Sequence, residues 1–96
     1  MRDMDKTAKL VAHAEAGHRM RIILDDPVVT AFFRNKREDF ARAMIAAPIA
    51  DDETRRNAAI QIALLDDLKM QLENAVTYGD RAVKALEKIK KEKIDA

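Results

Sequence analysis

Glu15-Ala-Gly-His18 is the first stretch of this chain whose residue types and spacing suit chemistry. A carboxylate and an imidazole three residues apart share a helix face and can both reach a metal buried in a helical bundle. Such a site needs a second copy of the pattern and further inward glutamates. The only other histidine, His13, lies on a different side of the same segment, and Glu73 and Glu87 fall off any inward face. The pair therefore reads as neighbours on a helix surface, and no metal site is expected.

Three aspartate pairs, Asp25-Asp26, Asp51-Asp52 and Asp66-Asp67, are the next candidates, because adjacent carboxylates attract divalent cations. A hard cation takes about six or more oxygens, usually from a glycine-bearing loop. No such loop accompanies any pair. The first two sit where helices should begin, and the third lies on a polar helix face. The chain has no cysteine, which removes thiolate nucleophiles, thiolate zinc sites and disulfides, and no serine, which removes Ser-His-Asp chemistry. Thr7, Thr30, Thr54 and Thr77 have no base beside them, and no glycine-rich phosphate loop occurs. No catalytic residue, cofactor or enzymatic activity is expected.

Basic residues cluster at Arg34-Asn35-Lys36-Arg37, at Arg55-Arg56 and in the tail, where Lys84, Lys88, Lys90, Lys91 and Lys93 stand against Glu87 and Glu92. The tail is the best candidate for phosphate contacts. It lacks interleaved aromatics for base stacking, and lysines also suit the negative end of a helix dipole. The whole chain has a formal net charge of +1, so it is not steered as a body toward nucleic acid or anionic lipid.

The elements that hold these residues are helices. Ninety-six residues make one domain, expected to span 1–96. Alanine, leucine, isoleucine, methionine, glutamate, lysine and arginine together dominate and aromatics are scarce, so the class is all-α. No apolar run approaches the roughly 20 residues of a membrane span. The charged start, Met1 to Lys6, gives no expectation of a signal peptide. Asp26 before Pro27 reads as an N-cap followed by proline at the first helical position. Asp51 reads as a second cap, with Asp52 and Glu53 in the positive first turn. Three helices follow, at about 3–24, 27–46 and 52–94.

The third helix, roughly 43 residues or about 65 Å long, carries a seam in steps of three and four: Leu65, Leu68, Leu72, Ala75, Gly79, Ala82, Leu86 and Ile89, widened by Ile62, Val76 and Val83. Asp80 to Lys84 and Glu87 to Lys91 have the favourable order for pairs along one helix. The first two helices together match the third in length. The expected architecture is a long antiparallel helical hairpin with its first arm kinked at Pro27 and its corner at 47–51; the alternative is a three-helix bundle with a long third helix. Counting around the corner puts Leu24 near Ala75, Met20 near Gly79 and Gly17 near Ala82. A two-helix hairpin buries little surface, so a homo-oligomer or docking on a larger protein is expected, with the seam as interaction surface. Ile49, at the tip, should be wet and marks a candidate contact.

Asp26-Pro-Val-Val-Thr-Ala-Phe-Phe33, Pro48-x-x-Asp51-x-Glu53-x-Arg55, Leu72, Tyr78-Gly79-Asp80-Arg81-Ala82 and Leu86 together resemble small helical proteins of tailed bacteriophages and prophages. The resemblance spans roughly residues 12–90 and departs at the apolar Ile49-Ala50. It transfers no site residue. It implies a non-enzymatic structural or assembly protein of the virion, acting through helix–helix contacts in the bacterial host cytoplasm or the virion. Its alternatives are a nucleic-acid-associated packaging or regulatory accessory protein, or a small inhibitor of a host protein.

Overall fold

The computed structural model describes residues 2–95, and among these it contains α1 (Arg2–Asp25), α2 (Pro27–Ala46) and α3 (Asp52–Asp95), with no strand. The all-α class and the expected helix limits hold to within a residue. The ends of the expected single domain, Met1 and Ala96, lie outside the described residues. α1 and α2, at 24 and 20 residues, together equal the 44 residues of α3.

The helix starts follow from local chemistry. Asp26 has extended backbone angles (φ −64°, ψ 125°), and its carboxylate accepts from the Val28 amide at 2.8 Å. Pro27 then occupies the first helical position, where no amide hydrogen is needed. This is the break expected between the first two helices. Asp51 caps α3: its carboxylate accepts from the Thr54 amide at 3.1 Å and from the Thr54 hydroxyl at 2.6 Å. At the other end of α2, the amide of Ala47 donates to the Ala43 carbonyl at 3.1 Å. The chain then reverses in one tight turn, closed by the Asp51 amide on the Pro48 carbonyl at 2.9 Å, with no positive φ among the described residues.

The helices form two compact units. One joins α1, as far as Leu24, to the part of α3 from Leu72 onward. The other joins α2 to the part of α3 up to Gln71. Each half of α3 thus has its own partner helix, which is the pairing a kinked first arm calls for.

In the α1 unit the helices approach most closely at Gly17 and Gly79, both buried. A Cβ placed on Gly17 would lie 2.6 Å from the Gly79 Cα and 2.9 Å from the Ala75 carbonyl oxygen. One on Gly79 would lie 2.7 Å from the Gly17 Cα. This corrects the register expected from the corner. Gly17 faces Gly79, not Ala82, a slip of three residues, or about 4.5 Å along a helix. Small residues meet small ones here, and the backbones close to contact distance in place of a large side chain filling the gap.

In the α2 unit, Val29, Phe33, Phe40 and Met44 are half-buried along α2, and along α3 Ala58 is buried and Ile62 and Leu65 are half-buried. Phe33 also meets Phe32 edge to face, with ring centroids 5.8 Å apart.

Candidate interaction surface

The seam residues divide by burial. Gly79 and Ala82 are buried, and Leu65, Leu72, Ala75, Leu86 and Ile89 are half-buried. Leu68 is the exception, at 49% exposed. The buried line extends to Ala58, 3% exposed, which the sequence reading left out. Ala58, Leu65, Leu72, Gly79 and Leu86 follow at seven-residue steps and are buried or half-buried, and Leu68 stands on the flank of that line.

Ion pairs flank each contact. In the α1 unit Arg21 donates to Asp80 at 2.6 Å. Asp80 was expected to pair with Lys84 along its own helix; the cross-helix guanidinium takes it. In the α2 unit Arg37 grips Asp66 through two hydrogen bonds of 3.1 and 3.3 Å. All four side chains are at least half exposed, so each pair sets register more than it adds stability.

The corner is organised by Arg55. Its guanidinium donates to the carbonyls of Ala47, Pro48 and Ile49 and to the Asp52 carboxylate. These carbonyls lie in the connection just after α2, so one side chain from the first turn of α3 ties that connection down. The planar fork suits several acceptors at once, as an ammonium would not. Asp51 beside it has its carboxyl held below the ordinary value of 3.8, chiefly by the Thr54 hydroxyl and then by the Thr54 amide, with burial opposing them and the Arg55 charge adding the smallest effect. Ile49 stands 95% exposed at the tip and Ile45 83% exposed nearby.

The remaining candidates are placed as follows. Glu15, His18 and His13 are all exposed on α1. The aspartate pairs find structural partners: Asp26 and Asp51 cap helices, Asp52 meets Arg55, Asp66 meets Arg37, and Asp67 accepts from Gln71 at 2.7 Å. Among the described residues no group of three or more His, Asp or Glu is arranged to hold a metal ion. Lys84, Lys88, Lys90, Lys91 and Lys93 are all exposed along the end of α3. No described helix is long and apolar enough to cross a membrane.

What the sequence reading missed is the apolar surface left outside the helix contacts. Val28, Phe32, Ile60, Leu64 and Leu68 are 49–77% exposed. Their four-residue spacing was visible in the chain, but the flank they occupy follows only from the helix pairing. No family model matches the chain, and no curated protein or solved structure matches it significantly.

Proposed function

We propose that this protein is a non-enzymatic assembly component that works by helix–helix contact, first of all with copies of itself. The observation that carries this reading is its surface. Among the described residues Ile22, Val28, Leu64 and Ile94 are 60–77% exposed, large apolar side chains that their own unit does not cover. Among the described residues the buried apolar side chains are Ala58 and Ala82, with no large one fully buried. Each unit is a pair of helices, which leaves apolar faces that a second layer would cover. Following the phage resemblance, the role proposed is structural or in assembly, in the virion or the bacterial host cytoplasm. Thermal unfolding from about 1 to about 100 µM tests the reading, because self-association makes the midpoint rise with concentration. A sharp, reversible transition at one temperature throughout contradicts it.

The exposure of all five tail lysines favours one second reading, a nucleic-acid-associated packaging or regulatory accessory. It requires a mobility shift at low salt that weakens steeply as salt rises and is lost when Lys84, Lys88, Lys90, Lys91 and Lys93 are replaced by glutamine. Absence of any shift at low salt removes it.

A further inference from the structure

The Arg37–Asp66 pair identifies the two faces of the α2 unit, because it lies on one side of both helices. Asp66 follows Leu65 by one residue, or about 100° of helix, and Leu64 precedes it by the same angle. On α2, Arg37 lies to one side of the half-buried Phe33–Phe40 line, and Phe32 lies to the other. Val28 and Phe32 therefore share the face opposite the ion pair with Ile60, Leu64 and Leu68.

The two faces differ in charge. The ion-pair face carries Arg34, Arg37, Arg55, Asp66 and Lys69. Among the described residues between Val28 and Asp39 and between Asn57 and Leu68, the opposite face carries Lys36 and Asp39, one of each sign, with Asp67 at its edge, one heptad from Ile60. Lys36 lies over the Phe32 ring at 6.0 Å. Asn57 and Gln61 are its uncharged polar members. Loss of charge at the centre, with aromatic and aliphatic side chains in its place, is what distinguishes the core of a protein interface. The five apolar side chains present on the order of 500 Å², the upper end for the largest patch of a monomer.

We infer that this face of the α2 unit, formed by Val28, Phe32, Ile60, Leu64 and Leu68, docks on the same face of a second copy of the chain about a two-fold axis. Three observations select a second copy as the occupant. The centre of the face, with Lys36 and Asp39, has no net charge, so bringing it against itself meets no repulsion there. Lys36 and Asp39 offer both signs within one turn, so each copy can answer the other's charge in an isologous contact. The apolar patch supplies more than half of the roughly 800 Å² per partner of a stable interface, with polar residues around it for the rest. Two α2 units so joined make a four-helix arrangement with both apolar layers covered. The inference rests on self-association and adds where it occurs.

Single substitutions at exposed positions test it, with mass measured by light scattering and helicity by circular dichroism. Leu64→Glu keeps a good helix former at a position 64% exposed in one chain. It is expected to weaken dimerisation about 100-fold or more, since it buries an unpaired charge. Met70→Glu, 54% exposed on the other side of α3, is expected to leave the mass unchanged. Since the chain has no cysteine, Leu64→Cys and Met70→Cys each give one thiol, and a short bis-maleimide should link the first into dimers and not the second. This second measurement holds even if Leu64→Glu fails to fold. An assembly that keeps its mass in Leu64→Glu, or links equally well through Met70→Cys, overturns the inference and leaves self-association standing. A wild-type chain that is monomeric throughout overturns both.

Discussion

Replacing Gly17 or Gly79 by alanine separates the close helix crossing from an ordinary helix by the sign of the effect. In an open helix, glycine to alanine gains about 1 kcal/mol, because the backbone loses less freedom and alanine is the better helix former. At this crossing the added methyl of Gly17→Ala would sit 2.6 Å from the Gly79 Cα, where ordinary contact begins at 3.4 Å. The next neighbour, the Ala75 carbonyl oxygen at 2.9 Å, is also backbone. No side chain can rotate away, so the helices themselves must part by most of an ångström. Overpacking of this kind costs about 1–3 kcal/mol, and with both obstacles in the main chain the upper half of that range applies. After the propensity gain, a net loss of about 1–2 kcal/mol remains, or about 5–15 °C in the melting midpoint of a chain this size. Gly79→Ala, with its methyl 2.7 Å from the Gly17 Cα, should behave alike. The double variant should cost less than the sum, because helices parted for one methyl have already made room for the other. Thermal melts followed at 222 nm, at one protein concentration, decide it. A raised midpoint in either single variant would refute the crossing and with it the Gly17–Gly79 register.

Other perturbations follow from the corner and the flanking pairs. Asp51→Ala should lower the midpoint by a few degrees through loss of the α3 cap, while Asp51→Asn should keep most of it. Because the folded Asp51 carboxyl lies below its ordinary 3.8, its contribution is present above that value and fades as pH falls through the lower folded value. Acid melts of wild type and Asp51→Asn should therefore converge only below about pH 4, and identical acid profiles would count against the Thr54 contacts. Arg55→Lys should raise amide exchange across 47–55 with little change in global stability, since an ammonium cannot serve three carbonyls and a carboxylate together; unchanged exchange there would contradict the fork. A double-mutant cycle on Arg37 and Asp66 should give a coupling below about 1 kcal/mol that shrinks in high salt, and a larger, salt-insensitive value would mean the pair is more buried than described.

The parts of the fold legible in the chain were those with local causes. Asp26-Pro27 and Asp51-Asp52-Glu53 announce helix starts because cap, proline and dipole act within one turn. Pro48 and the tight turn after it mark the corner for the same reason. The register was not legible, because Ala75, Gly79 and Ala82 repeat at three- and four-residue steps and offer equally small surfaces to Gly17 one turn apart. Which turn wins depends on how closely two backbones can approach, and Arg21–Asp80 becomes visible only after that is settled. Ala58 lies one heptad before Leu65 and shares the seam's period, but an alanine is small enough to stand on either a covered or an open face, and only the partner helix shows that it is covered. The apolar flank of Ile60, Leu64 and Leu68 needed the partner helix, which decides which flank of α3 stays uncovered.

The central claim, that this chain completes its apolar packing with copies of itself, is tested most directly by its mass in solution, measured by light scattering from about 1 to about 100 µM. A mass that settles at a multiple of 10.9 kDa and falls only on dilution is the expected result. A mass of 10.9 kDa at every concentration, with helicity intact, would contradict it.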